Sequence, residues 1–353
     1  MTIRPRSAID AIAAYVPGRA APPVPGALKL ASNENPLGPS PKALAAIAAA
    51  LPELHRYPDS SGGALKDAIA ARHGLAAGHV LVGNGSDDVI YLLATVYLEP
   101  GRSVVLADPP YSIHRIAAQV AGAEIVRVPL VDGVHDLPAM AAAARPDGWV
   151  AVTNPHNPTG TAVDPGALRE LVAAVPGDCL VLVDEAYHDF MDAPVQFSAA
   201  SLLHDHRNVV VLRTFSKAFG LAGLRVGYAL GDPSLLEPVE RIRPPFNVGV
   251  AAQAGALAAL GDKDHLARTV ASNAEARALF LDACVRAGLE ALSSQANFVL
   301  VRDRDGWPDA LAAAGITVRP GGNLGAPGWH RVTLGTPEQM RRVVALMEAA
   351  VRR

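Results

Sequence analysis

NVVVLRTFSKAFGLAGLR (208–225) joins a run of strand formers to a loop of small residues and sets a lysine at the join. NVVVLR is apolar at successive positions, the pattern of a strand covered on both faces. Lys217 follows it, and it is one of only five lysines; Lys29, Lys42, Lys66 and Lys263 sit beside polar or turn-forming residues, as solvated lysines do. An amine at the end of a buried strand is either a solvated side chain or a nucleophile, since amines form Schiff bases when desolvated or near another cation. Arg225, eight residues on, can supply an anion clamp, bidentate where a lysine would be a point charge.

Outward from this stretch the same grammar repeats. HVLVG (79–83), SVVLAD (103–108), EIVRVPL (124–130), WVAVTN (149–154) and CLVLVDEAY (179–187) are short apolar runs. Helical segments such as SDDVIYLLATVYL (86–98) and DPGALRELVAAV (164–175) separate them. Such alternation predicts an α/β fold, a mostly parallel sheet between helices, with ligands beyond the carboxyl ends of the strands. After about residue 245 the pattern changes. One long helical region (250–287) precedes NFVLVR (297–302), ITVRP (316–320) and HRVTLG (330–335), and a terminal helix closes the chain. The expected division is an arm over 1–30, which includes the extended GRAAPPVPG (18–26), a large domain over 31–245 and a smaller α+β domain over 246–353.

Bulk composition narrows the partners. Lys and Arg total 31 against 34 Asp and Glu, with no run of like charge, so neither a nucleic-acid footprint nor a membrane-binding patch is expected. Cys179 and Cys284 lie in apolar surroundings without CxxC spacing, as reduced core residues of a cytoplasmic protein do. The stretch 244–261 is uncharged but contains Pro, Asn and Gln, which suits a packed interior helix better than a membrane span. A small molecule is the expected partner.

Four apolar strands end in polar clusters: GNGSDD (83–88), TNPHNPTG (153–160), DEAY (184–187) and TFSK (214–217). In a sheet of this class those ends converge on one crevice. GNGSDD opens a helix, where free N–H groups form an anion site; an ordinary glycine turn with a serine cap reads equally well. Asp184 can be catalytic, a structural acceptor or a metal ligand with Glu185 and His188. It can also pair with the protonated ring nitrogen of a cofactor. An aldehyde-reactive amine, an anion cradle and an acid for a pyridinium nitrogen are together the demands of pyridoxal phosphate, and the reading adopted has no metal.

The chain resembles the fold-type I pyridoxal-phosphate aminotransferases, and more narrowly the histidinol-phosphate aminotransferases and their aromatic-amino-acid relatives. ASNENPLGPSP (31–41), RYPD (56–59), GNGSDD, NPTG (157–160), VDEAY (183–187), LRTFSKAFGLAGLRVGY (212–228), QANFVL (295–300) and RVTLGT (331–336) carry the resemblance in order and spacing. It implies that Lys217 links to the cofactor's aldehyde and moves the substrate Cα proton, that Asp184 pairs with the pyridinium nitrogen, and that Tyr187 and Asn157 bond the ring hydroxyl. Tyr111 would stack on the ring. Ser86, the backbone N–H of Asp87, Thr214, Ser216 and Arg225 would surround the phosphate, and Tyr57 would reach the phosphate of the neighbouring subunit in a homodimer. Arg331 is the implied clamp for the substrate carboxylate and Arg319 a candidate for a further anionic group, while Tyr15 and the segment around Asn33 would line the substrate mouth.

The expected reaction passes the amino group of L-histidinol phosphate to 2-oxoglutarate, in histidine biosynthesis. An aromatic (phenylalanine-type) amino donor and a threonine-phosphate decarboxylase of the same fold are the enzymatic alternatives. A pyridoxal-phosphate-binding transcription regulator would need a DNA-binding module for which the sequence offers no basic patch. His114, His156 and His188 depart from the family pattern and leave their roles open between proton relay and satisfied neighbour.

Overall fold

The computed structural model describes residues 3–10, 12–14 and 16–351. Among the described residues, eleven strands form two sheets. In chain order they are β1 (Leu28–Leu30), β2 (Val80–Gly83), β3 (Ser103–Asp108), β4 (Glu124–Pro129), β5 (Trp149–Thr153) and β6 (Leu180–Asp184), then β7 (Val209–Thr214), β8 (Gly227–Gly231), β9 (Phe298–Arg302), β10 (Ile316–Pro320) and β11 (Trp329–Thr333).

The large sheet runs β2-β8-β7-β6-β5-β3-β4. Its strands from β7 across to β4 pair in parallel, and β8 pairs antiparallel with both β7 and β2. Apart from Asp108 at the end of β3, strands β3, β5, β6 and β7 are buried throughout, which explains their unbroken apolar sequence. Strand order reverses between β5 and β3, so the carboxyl ends of β3, β5, β6 and β7 border the crevice where this architecture takes ligands. Strand β8 goes unread in the sequence because glycines bound GYALG, and glycine weakens a strand signal.

Helix starts follow local chemistry. Ser40-Pro41, Asp164-Pro165 and Asp232-Pro233 each put an accepting side chain at the cap and a proline in the first turn. The long helical region breaks at Gly261 and Asp262 into helices Val250–Leu260 and Lys263–Arg286. The first of these buries Ala252, Ala256 and Ala259 in the core of the large sheet. Around the second sheet, β1-β10-β11-β9, a separate core gathers Phe280, Trp307, Met340 and Val332. Strand β1 pairs parallel with β10, so the end of the arm is a strand of the small sheet. Among the described residues no helix is long and apolar enough to cross a membrane. Both cysteines are buried and unpaired.

Candidate active site

Lys217 is aimed by its neighbours. Phe215 and Phe219 are buried, with ring centroids 5.0 Å apart, and Phe215 also packs near Tyr228. These anchors hold the loop after β7 so that Lys217 turns toward a cavity of about 220 Å³ beyond the strand ends. Gly220 is left-handed, and a Cβ there would lie 2.3 Å from the Gly38 carbonyl, so the loop needs glycine at that point. The Lys217 amine donates to the Ser32 carbonyl at 3.3 Å and lies 5.7 Å from the Tyr187 ring centroid. Burial, followed by the Arg331 guanidinium, lowers its pKa to about 8, against the opposing pull of Asp87 and Glu34.

Asp184, at the end of β6, is buried and lines the same cavity. Its carboxylate accepts the Ala186 N–H at 3.1 Å and lies 3.2 Å from His114 Nε2. The sequence reading left His114 open; its ring meets Tyr111 edge-on, with centroids 5.6 Å apart. His156 is one layer deeper, bonded to Thr159 and 4.7 Å from the ring of His135, and burial lowers the pKa of both imidazoles. His188 faces the other side of the strand ends, toward Glu185. Among the described residues there is no cluster of three or more His, Cys, Asp or Glu able to hold a metal ion.

Tyr187 stands over the cavity, with its oxygen accepting from Asn33 Nδ2 at 3.0 Å and Asn157 Nδ2 at 3.3 Å. Two amide donors on that oxygen leave the phenolic proton free to donate outward. Burial pushes the Tyr187 pKa up to about 12, with Arg331 pulling the other way, so the phenol stays protonated near neutral pH. The expected substrate-mouth residue Asn33 is thus a buried support for Tyr187, tied to Thr333 through its own N–H and side chain.

Arg331 reaches from β11 to Asn157 Oδ1 at 2.7 Å and the Ala31 carbonyl at 3.1 Å. Strand alternation puts Arg331 and Thr333 on this side and Val332 in the small core. Strand β11 lies between β10 and β9, so Arg331 is a buried interior residue. Arg319, opposite Arg331 on β10, is buried, only 3% exposed. Its guanidinium donates to the Val16 carbonyl. Tyr15 lies outside the described residues. Tyr57 is 82% exposed, stacked on Phe246 at 4.5 Å, and does not line the cavity of its own chain.

Opposite Lys217, helix Ser86–Tyr97 begins at the cavity wall. Its Asp87 side chain accepts from the Tyr111 hydroxyl at 2.9 Å and lies 3.5 Å from Arg225, which leaves the first N–H groups of the helix facing the crevice. Arg225 also donates to Ser216 Oγ at 3.3 Å, and Thr214 Oγ1 accepts the Ser216 N–H at 3.1 Å. Gly227 crosses directly beneath, where a Cβ would sit 2.5 Å from the Ser86 nitrogen. Glycines, hydroxyls, helix N–H groups and one arginine form a cradle for a phosphate group.

These features have close parallels in known proteins. A family model described as aminotransferase class I and II matches residues 25–346. The chain belongs to the class I and II aminotransferases, in the histidinol-phosphate aminotransferase subfamily. It is 45% identical to histidinol-phosphate aminotransferase from Symbiobacterium thermophilum, over 98% of each chain. Identity to histidinol-phosphate aminotransferase 1 from Cupriavidus pinatubonensis is 44%, over 93% of this chain and 89% of the relative. The crystal structure of histidinol-phosphate aminotransferase from Sinorhizobium meliloti, in complex with pyridoxal-5'-phosphate, matches with a TM-score of 0.87 at 27% identity, over 100% of this chain and 98% of that one. The enzyme is a pyridoxal-phosphate-dependent aminotransferase.

The aminotransferase cavity fits that cofactor: the cradle made by Ser86, Ser216 and Arg225 is open only because residues 85 and 227 lack a Cβ. Gly227→Ala would press a methyl group onto backbone atoms of Gly85 and Ser86. The expected cost is about 1–3 kcal/mol of stability, read by urea unfolding, together with faster cofactor loss on dialysis. Wild-type stability and retention would contradict the cradle. In the cofactor-free protein, the Lys217 amine should react with aldehydes at a rate that rises through about pH 8, where an ordinary lysine would rise through 10.5. Stopped-flow absorbance against pH measures this directly.

Proposed function

We propose that this aminotransferase moves the amino group of L-histidinol phosphate to 2-oxoglutarate, in the cytoplasm, as a step of histidine biosynthesis. The observation that carries the reading is the meeting, in one cavity, of Lys217, Asp184, Tyr187 and the phosphate cradle. The named donor is supported by the relatives called histidinol-phosphate aminotransferase at 44–45% identity.

Bound there, pyridoxal phosphate supplies an electron sink for the charge that develops at the substrate's Cα. The Lys217 amine, its pKa lowered to about 8 by burial, would anchor the cofactor's aldehyde and, as a free amine, serve as the base for the substrate's Cα proton. Asp184 would hold the proton at the ring nitrogen, and Tyr187, which Asn33 and Asn157 orient, would donate to the ring hydroxyl. Tyr111, which lines the cavity, would cover a ring face. Thr214, Ser216, Arg225, Ser86 and the Asp87 N–H hold the phosphate. Arg331 clamps the carboxylate of the oxo acid. Arg319 is the candidate for the phosphate of the donor or another anionic group, and Tyr15 of the arm for the substrate mouth.

The same reading makes the enzyme a homodimer in which Tyr57 reaches the partner's phosphate. Tyr57, Leu54 and Leu51 are all at least half exposed, an apolar set that a second copy would cover. It also divides the chain into an arm (1–30), a large cofactor-binding domain (31–245) and a small C-terminal domain (246–353), although helix Val250–Leu260, assigned to the small domain, packs in the core of the large sheet.

An absorbance titration tests the donor. Histidinol phosphate alone, without oxo acid, should bleach the yellow holoenzyme at far lower concentration than phenylalanine does. Bleaching mainly by phenylalanine would move the enzyme to the aromatic donors, and loss of carbon dioxide without transfer would make it a decarboxylase.

A further inference from the structure

Behind the strand ends that carry Asp184 and Thr214 lies a second cleft, of about 820 Å³. Alternation along the two strands builds both places at once. Asp184 and Thr214 line the cofactor cavity, whereas the adjoining Glu185 and Arg213 turn away and meet each other at 2.8 Å. Glu185 also accepts the Ser198 hydroxyl at 2.8 Å and the Ala199 N–H at 2.7 Å, so its oxygens are satisfied inside the wall.

The cleft face presents Arg72, Arg213 and Lys263, with Asp189 the one lining carboxylate among the described residues. Asp189 lies 3.5 Å from Arg72 and 3.9 Å from Arg213, at or beyond the limit of hydrogen-bond contact. His73 and His188 add no charge: burial, followed by Arg213, lowers their pKa values to about 4 and about 2. His188 Nδ1 is buried without a hydrogen-bond partner. The opposite wall is apolar, with Leu266 and Val270 one turn apart on helix Lys263–Arg286. With Arg213 paired to Glu185 inside the wall and Asp189 only loosely held, Arg72, Arg213 and Lys263 leave a net excess of one positive charge beside an apolar wall, a site for an anion with a hydrophobic body.

We propose that this cleft binds a small organic oxyanion, a carboxylate or phosphate on an apolar body, held by Arg72, Arg213 and Lys263 and covered by Leu266 and Val270. Guanidinium groups in a partly desolvated cleft give charge-assisted, directional bonds to such an oxyanion. The proposal is independent of which amino donor the enzyme uses.

The test titrates holoenzyme with phenyl phosphate, and separately with benzoate, by calorimetry. Wild type is compared with the Arg72→Ala/Lys263→Ala double variant and with Lys263→Ala alone; neither residue lines the cofactor cavity. At least one probe should bind once per chain, with saturating 2-oxoglutarate failing to displace it. The double variant should weaken binding at least about tenfold, the loss of one or more charge-assisted bonds, and the exposed single variant by less. Turnover without probe should be unchanged in both. Binding of phenyl phosphate alone assigns the site to phosphates, and binding of benzoate extends it to carboxylates. Undiminished binding in the double variant, full displacement by 2-oxoglutarate, or no heat from either probe at millimolar concentration overturns the proposal.

Discussion

Lys217→Ala should abolish transamination, with kcat falling about 10⁴-fold or more, because one substitution removes both the covalent anchor and the base. The chain should still fold. The amine makes one hydrogen bond, to the Ser32 carbonyl, while the anchors Phe215 and Phe219 are untouched. The lysine is itself a cost in the folded state. Folded, it loses its proton near pH 8, against 10.5 for an unburied lysine, so its charged form opposes folding below about pH 8 and this opposition fades as pH rises toward 10.5. Alanine removes that opposition, and the melting temperature at pH 7 should not fall. Steady-state turnover and a thermal melt on the same preparation check both halves. Full turnover in the variant would refute the assignment of Lys217.

Asp184→Asn should lower kcat by about 10²–10³-fold, the range for losing one preorganised electrostatic contact in a dry site. Asparagine keeps the shape and can still accept the Ala186 N–H, so the loop after β6 should hold its course. What disappears is the negative charge facing the ring nitrogen. His114, 3.2 Å from the carboxylate, can turn a donor to the asparagine oxygen and so does not restore the charge. The cofactor should remain in place through Ser216, Arg225 and the helix N–H groups, which separates an electrostatic loss from a binding loss. Single-turnover kinetics with cofactor content measured alongside distinguishes them. Wild-type turnover with full cofactor would remove Asp184 from the chemistry.

Much of this was legible in the chain. The run NVVVLR and its counterparts read as doubly covered strands because burial on both faces forbids polar alternation, and their order predicted the sheet. Polar residues directly after such runs marked the crevice, since parallel strands all deliver their carboxyl ends to one side. Strand β8 escaped in part because Gly227 at its start makes room for the cradle, a requirement imposed by backbone atoms of Gly85 and Ser86 about 140 residues earlier in sequence. His135 escaped altogether. Nothing local marks a histidine whose role is to fill a layer against His156.

The sequence by itself determined the class of the sheet and which polar residues stand at its strand ends, because those depend on residue type and on contacts within a few positions. Only the tertiary structure decided how the groups are tuned and supported. Lys217 is held to about pH 8 by burial and by Arg331, which comes from another sheet. Tyr187 is oriented by Asn33 and Asn157, from two further parts of the chain. Desolvation and through-space charge depend on which distant segments pack together, and no spacing along the chain encodes that.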